Sequence, residues 1–204
     1  MASSFFSLEL CMRIEAGSTL LDEMRTLILA QAPTCSLNDK WQVAQRAASL
    51  LLGNLHHAER GCWEYFDDEK KAKELWTDWS KVVETKNGAR TTPSGPIDPY
   101  RGAARYMTVT MAYLLVRDSP TDEMLRMVCN VGDARLWKRE TFTAILSAIP
   151  QMSFASVRGD TLYMIPGDDE WGLTSEDLAD AKFKYLRTIT ENQLAQMPAL
   201  VSAP

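Results

Sequence analysis

The stretch "FSLELCMRIE", Phe6 to Glu15, decides how the chain is read. Phe6, Leu8, Leu10, Met12 and Ile14 fall on one side of an extended backbone, and Ser7, Glu9, Cys11, Arg13 and Glu15 on the other. Strict alternation over this length predicts a β-strand with one buried face and one polar face. Gly17 ends it. A strand needs partners, so the rest of the chain is read for what can pair with it and what can cover it.

Immediately downstream, "STLLDEMRTLILAQA" reads as a helix. Ser18 or Thr19 caps it, Asp22 and Glu23 sit in the first turn where carboxylates meet the helix dipole favourably, and Pro33 closes it. A second helix is expected from Leu37 or Asn38 to about Glu59, with Trp41, Ala44, Ala48, Leu51 and Leu55 at helical spacing, stopping near Gly61. The aromatic knot "GCWEYFDD" follows. A third helix begins after Asp67 or Asp68 and gathers Ala72, Leu75, Trp76, Trp79, Val82 and Val83 on one face. Glu69 with Lys73 and Lys70 with Glu74 form i,i+4 pairs opposite, each worth about 0.2–0.5 kcal/mol, so "EKKAKE" reads as a solvated face.

"KNGARTTPSGPIDPYRG" is rich in glycine and proline and predicts a long loop near 86–103. Beyond it, "RYMTVTMAYLLVR" carries β-branched and aromatic residues and is apolar on both sides, which suits a central strand. "SPTDEMLRMVCNVGD" leans to a short helix ending near Gly132. "KRETFTAILSAIP" is a clearer one, with Phe142, Ile145, Leu146 and Ile149 on one face and Pro150 as its stop. "MSFASVRGDTLYMIP" is either one strand bulged at Arg158 and Gly159 or a small hairpin turning there. A last helix is expected near 175–181, and the segment 190–204 reads as a flexible tail. The expected order is β, three α, β, α, β, α. This predicts an α+β fold over 1–189: a small antiparallel sheet of about three to four strands with helices packed on one face.

Apolar residues make up 46% of the chain and charged residues 24%, the balance of a soluble globular protein. A net charge of −5 argues against a nucleic-acid footprint and against attachment to anionic lipid. The opening residues lack a basic n-region and alternate in polarity, so neither a signal peptide nor an integral membrane segment is read there. Cys11, Cys35, Cys62 and Cys129 are scattered without a C-x-x-C spacing, which points to reduced thiols and a cytoplasmic location.

Three stretches invite chemistry. "GDDEWGLTSEDLAD", Gly167 to Asp180, holds six carboxylates. Asp168, Asp169 and Glu170 are consecutive and cannot all face one ion, whereas Thr174 or Ser175 can cap a helix whose first turn holds Glu176 and Asp177; a strand–helix junction explains more residues than a metal loop does. In "NLHHAERGCWEYFDD", Cys62 could act as a thiolate with His57 as base and Asp67 or Asp68 as orienter, but sequence proximity alone does not bring them into hydrogen-bond reach. Zinc would need more ligands than these. "RGD" at Arg158 to Asp160 reads as a turn or bulge. No cofactor or nucleotide fingerprint is found, so none is expected to bind.

The ordered pieces "MTVTMAYLLV", "RETFTAILSAI", "DTLYMIP" and "LTSEDL" (107–116, 139–149, 160–166 and 173–178) after an opening alternating strand resemble domain-of-unknown-function family 1517, found in cyanobacterial and chloroplast proteins. The resemblance covers most of 6–188 and implies no reaction and no catalytic residues. The sequence therefore favours a non-catalytic protein-interaction or assembly module, with Trp63, Trp76 and Trp79 as partner-docking residues and a homo-oligomer compatible with the same apolar faces. The competing class is a thiol or hydrolytic enzyme using Cys62 with His57.

Overall fold

A computed structural model describes residues 2–30, 35–84, 103–167 and 171–191. The alternating stretch forms β1 (Ser3–Ile14), which lies at the centre of an antiparallel sheet. It pairs on one side with β2 (Ala58–Phe66) and on the other with β3 (Arg105–Val116). Outside these lie β4 (Val157–Ile165) against β3 and the short β5 (Arg187–Thr188) against β2, giving the order β4-β3-β1-β2-β5. The sheet has five strands rather than the three to four expected. The extra two are β2, read from sequence as a knot between helices, and β5, which lies between the helix expected near 175–181 and the expected tail, where no element is read from sequence.

Five helices accompany the sheet among the described residues: α1 (Leu20–Leu29), α2 (Leu37–Gly53), α3 (Glu69–Glu84), α4 (Pro120–Cys129) and α5 (Arg139–Ala148). Phe6, Leu8, Leu10 and Met12 of β1 join Met107, Val109, Met111 and Tyr113 of β3 on one face. That face packs on Leu20 and Met24 of α1, Ala48 and Leu51 of α2, Leu125 of α4, and Phe142 and Ile145 of α5. This is the main core, and covering it removes most of the chain's large side chains from water. The α5 helix settles close to β2 because residue 61 is glycine: a Cβ there would lie 2.8 Å from the Phe142 ring. The Arg139 guanidinium then ties α5 to the start of β2 by donating to the Leu55 and Ala58 carbonyls.

Helices on one face thus describes α1, α2, α4 and α5, while α3 lies on the opposite face. There Phe5 and Ala112 of the sheet meet Ala72, Leu75, Trp76 and Trp79. The other end of this second face is covered by the chain after β4. Leu173, Leu178, Phe183 and Leu186 pack on Cys11 and Tyr106. The polar side of β1 expected from the alternation is therefore buried as well: Ser7 and Glu9 are each 3% exposed and Cys11 is sealed. Strict alternation reports the chemistry of the two faces, and a second layer arriving from distant sequence decides whether the polar one sees water.

Several local readings hold. The second helix starts at Leu37, where Ser36 and Asp39 form a capping box that was not singled out by sequence, Asp68 caps α3 through the Lys71 amide, and both i,i+4 pairs of α3 are present. β4 is one strand bulged at Arg158, where Leu115 faces Val157 and Leu114 faces Gly159. Other boundaries move. The helix expected to reach Glu59 stops at Gly53, and Leu55–His57 form a 3-10 turn leading into β2. The helix expected over 175–181 is instead two 3-10 turns, Asp177–Ala179 and Ala181–Phe183. The expected loop at 86–103, all but its last residue, and the tail beyond 191 lie outside the described residues.

Candidate functional site

Between α3 and the C-terminal turns, the second face of the sheet is left uncovered by either. The register explains what is displayed there. Cys62 of β2 faces Glu9 of β1, Glu9 faces Thr110 of β3, and Thr110 faces Tyr163 of β4, so one row of side chains crosses four strands. The adjacent row contains Glu64 and Ser7. Above these rows lies a cleft of about 350 Å³, with Leu75 and Trp79 of α3 on one wall and Lys182, Phe183 and Tyr185 on the other. The volume is at the small end of the range for ligand pockets, roughly 300–1,000 Å³.

Glu9 is the focus of the floor. Its Oε2 accepts a 2.7 Å hydrogen bond from the Tyr185 hydroxyl. Tyr185 itself is 42% exposed, so this bond runs from the floor to the rim. Burial holds the Glu9 carboxyl above its ordinary pKa, opposed by Tyr185 first and then by the neighbouring Thr110 and Thr108 hydroxyls. Neither threonine hydroxyl closes a hydrogen bond in this geometry, although both are sealed from water. Around Glu9, burial and the Glu9 carboxyl push Tyr163 up to about 12 and raise Tyr185. Glu64 is also raised by burial, against the pull of Lys71.

The direction of the Glu9 shift yields a prediction. A carboxyl whose folded pKa lies above its unfolded value stabilises the fold fully only below the unfolded value, and that contribution is lost as pH rises through the folded one. Glu9→Gln keeps an acceptor for Tyr185 and removes the titration. Its melting temperature is expected to match the native chain in acid and to exceed it increasingly as pH rises from about 4 to about 8. A difference that does not change with pH would refute the assignment.

The sequence-derived candidates fall in different places. Cys62 lines the cleft, where burial and the Glu64 and Glu9 carboxyls push its thiol up to about 12. It is therefore protonated at neutral pH, the opposite of what a thiolate nucleophile needs. His57 lies in the 3-10 turn before β2, with Nδ1 3.9 Å from the Glu15 carboxylate, and no hydrogen bond joins it to Cys62. Asp68 is engaged as the cap of α3. Cys11 and Cys129 are buried, each pushed by desolvation to about 12, and no disulfide joins any of the four cysteines.

Of the acidic stretch, Asp168, Asp169 and Glu170 lie outside the described residues. Its second half forms a reciprocal cap: Asp177 accepts from the Thr174 amide and hydroxyl, and the Asp177 amide donates back to the Thr174 hydroxyl. The "RGD" triplet sits at the β4 bulge, with Arg158 donating to Ser3 and Asp160 pairing with Lys40 at 2.6 Å. Among the described residues, no three His, Cys, Asp or Glu side chains converge as metal ligands would. None of the described helices is long and apolar enough to cross a membrane.

The three tryptophans separate. Trp63 is on the main-core face and donates from its indole to the Leu136 carbonyl. Trp76 packs over Gly159. Trp79 lines the cleft, its ring centroid 6.4 Å from that of Tyr163. The floor residues Glu9, Thr110 and Tyr163 were not singled out by sequence. A signal was present: Thr108 and Thr110 alternate on β3 as Ser7 and Glu9 do on β1, so pairing the two strands puts their polar sides together. No protein-family model, no curated protein and no solved structure matches this chain.

Proposed function

We propose that the chain is a non-catalytic interaction module that receives a protein partner on the second face of the sheet, with Trp79 and the cleft beside it as the contact. The observation that carries this reading is the incomplete cover of that face. Four strands present a continuous row of side chains; among the described residues, α3 and the C-terminal turns cover only the two ends of that face, and a large aromatic stands half-buried at the edge of the gap. Tryptophans in that setting dominate binding energy because they remove much apolar area from water at small entropic cost. The chemistry of the floor favours binding over turnover: its thiol is protonated, and its carboxyl is held by a tyrosine with no imidazole beside it.

Affinity capture with the full chain, followed by reconstitution with the purified captured protein, tests this. Trp79→Ala is expected to weaken the complex by about thirtyfold or more. Trp63→Phe, on the other face, is expected to leave it unchanged. Both variants are compared by circular dichroism so that lost binding is separated from lost folding. Equal affinity of native chain and Trp79→Ala would overturn the reading.

A further inference from the structure

The cleft has a chemical bias that narrows what it can hold. Its walls are hydrocarbon and aromatic, supplied by Leu75, Trp79, Ile165 and Phe183. Among the described residues its lining carries the carboxyl groups of Glu9, Glu64 and Asp78 and the ammonium of Lys182. The Glu9 carboxyl lines the cleft, and its Oε2 accepts from the Tyr185 hydroxyl. An apolar shaft ending on a carboxyl group, with aromatic faces alongside, complements a long side chain that carries a cation at its tip. Resting on the reading of this face as a partner-docking surface, we infer that the cleft receives an arginine or lysine side chain of the partner protein, its alkyl stem against Leu75, Trp79 and Phe183 and its charged head at Glu9.

The geometry accounts for the odd features of the floor together. A guanidinium or ammonium arriving at Glu9 donates to its carboxylate, and a charge-assisted hydrogen bond is among the stronger polar contacts available to a protein. A carboxyl buried without a cation is costly to ionise, and the arriving cation offsets that cost. Binding is then coupled to loss of the Glu9 proton, so affinity weakens as pH falls through its raised pKa. The titratable and charged groups facing Glu9 are Cys62 and Glu64 from β2, Tyr163 from β4, Asp78 from α3, and Lys182 and Tyr185 from the C-terminal turns. Of these, Glu64 also titrates upward-shifted, which makes the Glu9 variant necessary to assign the effect.

The test uses the full chain and small probes that carry only the proposed group. Butylguanidinium is titrated against the protein while the methyl signals of Leu75 and Ile165 and the indole signal of Trp79 are followed by nuclear magnetic resonance. Butylurea serves as the neutral isostere. Saturable shifts with butylguanidinium are expected, weakened about tenfold or more by Glu9→Gln and by the rim substitution Asp78→Lys, with butylurea at least about tenfold weaker. The native chain is also expected to bind butylguanidinium more weakly at about pH 5 than at about pH 8, and Glu9→Gln to show less of that dependence. Equal binding of butylurea, or insensitivity to both substitutions, overturns the inference, as does the absence of any shift. The two readings fail separately. A partner lost with Trp79→Ala but indifferent to Glu9→Gln leaves the docking face and removes the basic side chain. Butylguanidinium bound through Glu9, with a captured partner indifferent to Trp79, does the reverse.

Discussion

Replacing Asp122 with alanine is expected to cost the fold about 3–4 kcal/mol, because it leaves several donors inside the protein without an acceptor. Asp122 opens α4 and is fully buried. Its Oδ1 accepts from the Ser4 hydroxyl and, at 2.7 Å, from the Tyr65 hydroxyl, while Oδ2 accepts from the Asp118 amide at 2.8 Å. One carboxyl thus joins β1, β2, the turn after β3 and the first turn of α4. That turn is tight: Asp118 has a φ of 59°, a conformation non-glycine residues seldom adopt, and its amide points at Asp122. Alanine removes all three acceptor contacts at once. Asparagine should be milder, because its oxygen can serve the Asp118 amide while its NH₂ turns to Ser4 and Tyr65, whose hydroxyls can rotate to accept. Urea denaturation of both variants checks the order. An alanine variant within about 1 kcal/mol of the native chain would show that the network adds little beyond packing.

None of that network was visible in the sequence, and the reason is general to this fold. The "SPTDEMLRMVCNVGD" segment only leans to a short helix in sequence, and the structure shows Ser119 capping it. What the pattern does not contain is that the side chain of an N-terminal aspartate reaches residues more than fifty positions away. Local signals were legible where local physics decides: the β1 alternation, the cap of α3 at Asp67 or Asp68, and the ion pairs of α3. Where pairing partners decide, they were not. "AERGCWEYF" carries three charged residues and a glycine among its aromatics, and it became a strand only because β1 offered it an open edge. The same applies to the candidate site. Glu9 reads as a solvent-facing residue in an amphipathic strand. It became the floor of a cleft because Glu69–Glu84 and the turns after Gly172 arrive on that face from two distant parts of the chain. The tryptophans of α3 were legible as an apolar face, and the sheet face that meets them was not.

Gly159→Ala is expected to lose about 1–3 kcal/mol, with Gly159→Val at the upper end, because the Trp76 ring of α3 lies against position 159. A Cβ built there falls 2.4 Å from Trp76 Cζ2, 2.9 Å from Cε2 and 3.0 Å from Cη2, so its three nearest atoms belong to one indole. The ring has little room to yield, since Trp76 packs in the cluster formed by Phe5, Ala72 and Ala112. The bulge at Arg158 directly precedes this notch and sends the Arg158 guanidinium to Ser3. If the collision is with Trp76 alone, shortening that side chain should relieve it. Gly159→Ala is therefore expected to be nearly neutral in a Trp76→Leu background, and the double-mutant cycle should show coupling of about 1–3 kcal/mol. Additive losses would place the strain in the strand backbone instead. The consequence reaches the cleft, because Leu75 and Trp79 flank Trp76 on the same helix. A helix lifted at Trp76 moves the wall against which a partner's side chain would lie. Gly159→Ala should then weaken partner binding even though residue 159 is outside the cleft lining, and the Trp76→Leu background should restore it.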